Sequence, residues 1–268
     1  MRRKLIAAGL AAATAAALLA GCGSSDDDKV TIGIKFDQPG LGLRSGSTYS
    51  GFDVDVARYV AKELGYEESQ IEFKETPSPQ RETMLQSGQV DMIFATYSIT
   101  DARKEKVSFA GPYFIAGQDL LVAADNTDIT GPDTLDGKKL CSVQASTSAQ
   151  RVKDEHSTGV QLQEFDTYSK CIEQLAAGTI DAVTTDDIIL AGFAAQPANA
   201  GKLKVVGNPF SEENYGVGLP QGSKDCQKVN DAITKMISDG SWQKAIEANA
   251  GAGYTPSDLN PPTPAACS

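Results

Sequence analysis

Apolar blocks and amphipathic stripes alternate along the chain. Residues 29–35 read as a strand, and residues 52–64 place Phe52, Val56, Tyr59, Val60 and Leu64 on one helical face before a stop at Gly65. A short helix ending at Gly88 leads into an apolar strand over 90–96. A second cycle opens with a strand over 140–143, passes through a helix over 169–177 stopped by Gly178, and reaches a strand over 180–185. Strands alternating with helices predict parallel sheets covered by helices, an α/β fold.

An internal echo supports two such units. Gly88-Gln89-Val90-Asp91-Met92-Ile93 returns as Gly178-Thr179-Ile180-Asp181-Ala182-Val183, each time after an amphipathic helix and before a polar strand end. Two similar α/β lobes are expected, facing each other across a cleft. Ligands of open α/β sheets bind beyond the carboxyl ends of strands, so residues 96–100 and 184–187 are expected to line that cleft.

The first residues carry a different pattern. Arg2, Arg3 and Lys4 precede an uncharged apolar run over 5–20, shorter than the roughly 20 residues of a membrane-spanning helix. Residues 1–21 therefore read as a secretory leader. Leu19-Ala20-Gly21-Cys22 resembles the bacterial lipobox, which implies acylation of Cys22 and a lipid anchor holding the exported chain at the extracellular face of the cell membrane. Residues 22–29, rich in Ser and Asp, form a flexible tether.

Composition narrows the chemistry. The chain has 268 residues, 41% hydrophobic and 22% charged, enough for substantial cores. Its formal charge of −11 becomes −14 once Arg2, Arg3 and Lys4 leave with the leader, and such a surface repels nucleic acid. A single histidine, His156, removes the material for multi-imidazole zinc sites and Ser-His or Cys-His nucleophiles. The glycines around Gly131 and Gly137-Lys138-Lys139 have the wrong spacing for a phosphate loop, and Gly40-Leu41-Gly42-Leu43-Arg44-Ser45 lacks the last glycine of a dinucleotide fingerprint. Neither a cofactor nor a metal is expected. Beyond Cys22 there are four cysteines, which in an exported chain suggest two disulfides with three possible pairings. Cys141 and Cys171 both fall in the second lobe, which favours that pair and leaves Cys226 with Cys267, clipping a Pro-rich tail to a helix.

Four motifs in order bear a resemblance. Gly51-Phe52-Asp53-Val54-Asp55-Val56-Ala57, the turn Leu85-Gln86-Ser87-Gly88-Gln89-Val90-Asp91, Ser98-Ile99-Thr100-Asp101-Ala102-Arg103 and Phe109-Ala110-Gly111-Pro112-Tyr113 resemble the family 3 extracellular solute-binding proteins, the amino-acid receptors of ABC importers. Within that family, Ile32-Gly33-Ile34-Lys35-Phe36-Asp37-Gln38-Pro39-Gly40 is most similar to glutamate-binding lipoproteins of high-GC Gram-positive bacteria. The resemblance implies a type II periplasmic-binding-protein-like fold with two crossing hinge segments. Lobe 1 then spans 30–118 plus 214–268, and lobe 2 spans 123–210. It also implies a monomer whose partners are glutamate, an ABC permease and its ATPase.

An amino acid presents a carboxylate and an ammonium on one carbon, so a desolvated pocket must offer a bidentate cation, N–H donors and a carboxylate. Arg103 stands where the family keeps its α-carboxylate arginine, and Asp186 matches the aspartate that takes the ammonium. Gln144-Ala145-Ser146-Thr147-Ser148 follows a strand and opens a helix whose N–H groups favour an anion, which makes Thr147 and Ser148 second-lobe partners. Many relatives carry a lysine or arginine and glycines in that loop. Ser98 and the Thr96 carbonyl are similarly placed on the first lobe. Where relatives sandwich neutral ligands between aromatics, this chain has Gln38 and Ser78. Lys35 and Arg81 instead occupy places where acidic-ligand receptors keep cations, the expected answer to a dianionic ligand. The competing readings are a cleft-based dehydratase using Glu212, Glu213 or Asp187 as its acid, and an amino-acid sensing module.

Overall fold

The computed structural model describes residues 29–156, 159–251 and 253–267. The expected leader, the lipidation site Cys22 and the tether up to residue 28 lie outside them. The chain opens with β1 (Val30–Ile34), the short strands β2 (Asp37–Gln38), β3 (Gly42–Ser45) and β4 (Thr48–Ser50), α1 (Phe52–Glu63), β5 (Ile71–Glu75), α2 (Arg81–Gln86), β6 (Met92–Phe94), α3 (Asp101–Lys104) and β7 (Ser108–Ala116). It continues through β8 (Gln118–Ala123), β9 (Lys139–Val143), α4 (Thr147–Glu155), β10 (Gln161–Phe165), α5 (Tyr168–Ala176), β11 (Ala182–Asp186), α6 (Asp187–Ala194) and β12 (Leu203–Val205). It then closes with β13 (Glu213–Leu219), α7 (Cys226–Ser238) and α8 (Ser241–Asn249).

Two five-stranded sheets result, ordered β5-β1-β6-β13-β7 and β10-β9-β11-β8-β12. In the first, β1 runs parallel to β5 and β6, whereas β13 is antiparallel to β6 and β7. In the second, β9 runs parallel to β10 and β11, and β8 is antiparallel to β11 and β12. The chain crosses from one sheet to the other at Gly117, between β7 and β8, and again over 206–212, between β12 and β13. The α/β class with two similar units, as the periodicity predicts, is the architecture observed.

The sequence echo has a physical cause. Gly88 and Gly178 adopt φ of 67° and 69°, left-handed conformations that end a helix without a Cβ clash. The next residue closes the turn in both places: Gln89 N–H donates to Met84 O and Thr179 N–H to Gln174 O. Asp91 Oδ2 then accepts from Thr31 N–H at 2.8 Å, and Asp181 Oδ2 accepts from Lys139 N–H at 2.7 Å. Each aspartate thus ties the start of its strand to the neighbouring parallel strand. The repeated Gly-x-[VI]-Asp is a helix stop fused to a strand-registering side chain.

On α1, Phe52, Val56 and Val60 are buried as the stripe predicts, while Tyr59 and Leu64 are only half-buried. Phe52 packs edge-on to Trp242 with ring centroids 5.7 Å apart, and Trp242 Nε1 donates to the Tyr113 carbonyl at 2.8 Å. Both expected disulfides form: Cys141–Cys171 joins β9 to α5, and Cys226–Cys267 joins the start of α7 to the tail. The Asn260 side chain also brackets Ile115 on the outer edge of β7, accepting from its N–H at 2.9 Å and donating to its carbonyl at 2.7 Å. The tail therefore covers polar backbone that an edge strand otherwise exposes.

Candidate functional site

Strand ends from both sheets converge between them. β6 leads to Thr96 and β9 to Ala145, the two non-glycine residues with left-handed φ among those described, 46° and 56°. Such conformations persist only where surrounding bonds impose them. For Thr96 the bond is visible: Asp53, fully buried at the start of α1, accepts the Thr96 N–H at 2.9 Å and the Tyr113 hydroxyl at 2.8 Å. Burial pushes the Asp53 carboxyl up to about 6, against the pull of those two hydrogen bonds and of Lys35 and Arg81.

Arg103, on α3, is held by Thr100, whose hydroxyl caps the helix. Its Nη1 donates to the Ser98 carbonyl at 2.7 Å and its Nη2 to the Ala145 carbonyl of the other sheet at 3.3 Å, while Nε lies 3.5 Å from Glu82. Arg81, at the start of α2, donates Nη1 to the Ala95 carbonyl at 3.0 Å. The Tyr97 ring eases the proximity of these two cations, lying 4.2 Å from the Arg81 guanidinium carbon and 5.0 Å from that of Arg103. Lys35, just past β1, is 5% exposed, and its Nζ donates to Ser78 Oγ at 2.8 Å. Burial, then the neighbouring Arg81, pushes its ammonium down to about 7. The same two causes lower Arg103 to about 10.

The second sheet supplies the opposite charge. Asp186, the last residue of β11, is 3% exposed and accepts a hydrogen bond of 2.6 Å from Tyr215 of β13. Burial, followed by repulsion from Glu213, holds its carboxyl well above the usual range. Ser146 caps α4 by accepting from Ala149 N–H at 2.9 Å, which sets Thr147 and Ser148 in the helix's first turn. Thr147 Oγ1 lies 3.4 Å from Ser98 Oγ across the cleft.

Together these groups surround about 260 Å³ of space between the two sheets, part of it open to solvent. Arg81, Thr96, Arg103, Thr147, Ser148 and Asp186 line it, as expected from the sequence. Lys35 does not line it directly but backs Ser78, and Ser98 stands beside it, bridging to Thr147. Gln38, Ser146, Tyr168, Thr185 and Ile189 complete the walls. Gln144 is exposed, and none of Glu212, Glu213 and Asp187 lines the space. Glu213 instead pairs with Arg151 at 3.1 Å, and Asp187 accepts from the Gly117 and Ile188 amides and the Tyr254 hydroxyl.

Among the described residues, three buried side-chain atoms have no hydrogen-bond partner: Gln38 Nε2, Arg81 Nε and Asp186 Oδ1. All three belong to residues lining this one cavity. Buried polar groups are nearly always satisfied, so these atoms call for a partner that brings an acceptor for the guanidinium and a donor for the carboxylate. Another groove, lined by Asp119, Asp187, Ala191 and Tyr254, holds no such orphan, and its carboxylates are taken by backbone amides and Tyr254. Among the described residues, no group of three or more His, Cys, Asp or Glu side chains could hold a metal ion, and no helix is long and apolar enough to cross a membrane.

Segments flanking the two sheets also touch at the cleft's rim. Asp37 of β2 accepts from the Ser169 N–H of α5 at 3.2 Å, and the Pro39 carbonyl presses on Gly192 of α6, where a Cβ would collide with it.

Known proteins resemble this chain along most of its length. The model of "Bacterial extracellular solute-binding proteins, family 3" matches residues 30–251. A glutamate-binding protein of Corynebacterium efficiens is 45% identical, over 97% of this chain and 99% of the relative. A glutamine-binding ABC transporter protein of Bacillus subtilis is 34% identical, over 90% and 95%. Among solved structures, an ancestral arginine-binding protein bound to glutamine has 35% identity and a TM-score of 0.76, covering 83% of this chain and 97% of the other.

Proposed function

The chain belongs to family 3 of the bacterial extracellular solute-binding proteins, and from that premise we propose that it binds glutamate, less readily aspartate, between its lobes and delivers it to an ABC permease and its ATPase. As a member of that family it is an exported protein. The observation that carries the ligand assignment is the buried charge pattern: Lys35, Arg81 and Arg103 on one side, with Asp186 opposite, and unpartnered atoms on Arg81 and Asp186. An amino acid with two carboxylates and one ammonium complements that pattern. In this reading Arg103 and the first turn of α4, with Thr147, Ser148 and Ser98, take the α-carboxylate. Asp186 and the Thr96 carbonyl take the ammonium, and Arg81 takes the side-chain carboxylate together with Lys35, which acts from behind Ser78.

Lobe 1, expected over 30–118 plus 214–268, captures the ligand, and lobe 2, expected over 123–210 but beginning with Gln118 because β8 joins the second sheet, closes over it by bending at the two crossings. Relatives named for glutamate and for glutamine support the choice of side-chain length. The lipid anchor at Cys22 and the monomeric state rest on sequence resemblance. Calorimetry of the purified protein against glutamate, aspartate, glutamine and arginine tests the ligand assignment. Glutamate should bind most tightly, and tighter binding of arginine would overturn it.

Lys35 gives the binding a definite pH dependence. Its ammonium titrates near 7 in the unliganded cleft, and a ligand carboxylate beside it raises that value. Below 7 the lysine is already charged, so its contribution to glutamate affinity stays level. Above 7, binding must recruit a proton, and affinity falls by up to about tenfold per pH unit until the complex's own value is passed. Calorimetry at pH 8 in buffers of different ionisation enthalpy should register proton uptake with glutamate. Because Asp186, held well above its usual range, releases a proton when it takes the ammonium, the uptake is read against Lys35→Ala, and equal proton balances in the two proteins would remove Lys35 from the site.

Closure can be tested without touching the ligand. Gly192→Ala puts a methyl group where the Pro39 carbonyl rests, while alanine favours the α6 helix by about 1 kcal/mol. The variant should fold at least as stably, yet bind glutamate and glutamine about tenfold or more weakly, by the same factor. Unchanged affinities would mean the lobes close without this contact.

A further inference from the structure

We propose that Gln38 determines specificity in this cleft, its side-chain amide meeting the far end of the ligand and letting one pocket accept either a carboxylate or a carboxamide there. The inference rests on the assignment of the cleft to an acidic amino acid and extends the substrate class to the matching amide. Gln38 ends β2, is 0% exposed, and lines the cavity with an amide nitrogen that has no partner. The other end of its amide lies 3.3 Å from Thr96 Oγ1, which is itself 2.8 Å from the Ala95 carbonyl.

The Thr96 hydroxyl has one proton and two possible recipients. Given to Gln38, it leaves the amide NH₂ pointing into the cavity. Given to the Ala95 carbonyl, it turns a lone pair toward Gln38, and the amide rotates so that NH₂ bonds Thr96 and C=O enters the cavity. In both arrangements Thr96 stays satisfied and one end of the Gln38 amide remains for a ligand. Gln38 can therefore donate or accept.

This matters because the nearby charged groups only donate. Arg81 Nε and Lys35 Nζ suit a carboxylate but leave the NH₂ of a carboxamide without an acceptor. Ser78 Oγ spends one of its two lone pairs on Lys35, and Asp186 stands on the opposite sheet. Lys35, titrating near 7 and so able to lose its proton, removes part of the penalty for a neutral ligand end. Gln38 supplies the acceptor that a carboxamide needs.

The experiment compares glutamate and glutamine by calorimetry in the full chain, Gln38→Met and Gln38→Glu, at one pH and ionic strength. Gln38→Met keeps the length but no hydrogen bond, so glutamine should weaken about a hundredfold and glutamate about tenfold or less. Gln38→Glu fixes an anionic acceptor beside the cations. Glutamate should then lose about a hundredfold or more while glutamine holds within about threefold. The glutamate-to-glutamine ratio thus moves in opposite directions in the two variants. Equal weakening of both ligands in Gln38→Met would reduce Gln38 to a support for Thr96 and overturn the inference. So would a starting protein that binds glutamate but no measurable glutamine. A starting protein that binds neither ligand would instead defeat the glutamate assignment itself, and this inference with it.

Discussion

Arg103→Ala is expected to remove measurable binding of every amino acid, whatever its side chain. Arg103 is 9% exposed, and its guanidinium is fixed on three sides, by the Ser98 carbonyl, the Ala145 carbonyl and Glu82. It meets the cavity already oriented, so a carboxylate gains a charge-assisted bond with little reorganisation. Removing one partner of a buried charged pair costs about 3–5 kcal/mol, a loss of roughly a hundredfold or more at 1.4 kcal/mol per decade. Arg103→Lys should recover little, since a lysine cannot reproduce the fork that reaches both carbonyls. Calorimetry with glutamate, aspartate and glutamine is the measurement. Loss of glutamate alone, with glutamine intact, would move Arg103 from the α-carboxylate to the side-chain end.

Lys35→Ala and Arg81→Gln should act on one end only. Each removes a cation from the side-chain end of the cleft, so glutamate affinity should fall by about a hundredfold while glutamine, which lacks the charge, loses far less or gains. Lys35→Ala in particular relieves Arg81 of a buried like charge, the second largest cause of Lys35's own depressed titration. The glutamate-to-glutamine ratio, taken at fixed ionic strength because screening shifts such contacts, is the quantity to follow. Equal losses for both ligands would leave the acidic-ligand assignment without its physical basis.

Much of the cleft was legible before folding. Arg103 and Asp186 stood in recognisable motifs, and Lys35 and Arg81 were conspicuous as cations at strand and helix ends in an acidic chain. All four are among the buried polar groups of the structure. Gln38 and Ser78 were visible only as places where aromatic residues are missing; their hydrogen-bond partners, Thr96 and Lys35, lie 58 and 43 residues away. Asp53 read as part of an α1 motif, yet it is the buried carboxylate that fixes Thr96 in its left-handed turn. Tyr215, which bonds Asp186 across the lobes from 29 residues away, had no local signal at all.

The sequence by itself determined the alternation of strands and helices, the two similar units, the cysteine count and the residue types available to hold an amino acid. These follow from local rules: apolar periodicity, glycine at helix ends, and aspartate at strand starts, each acting over a few residues. Only the tertiary structure decided which atoms stand unpartnered in the closed cleft, that Lys35 titrates near 7 and Asp186 far above its usual range, and that Pro39 needs a glycine at 192. Those properties come from desolvation and close approach between segments far apart in the chain. They exist only once β1, β6, β9 and β11 deliver their carboxyl ends to one enclosed space, because water leaves the charged groups there and nowhere earlier along the chain.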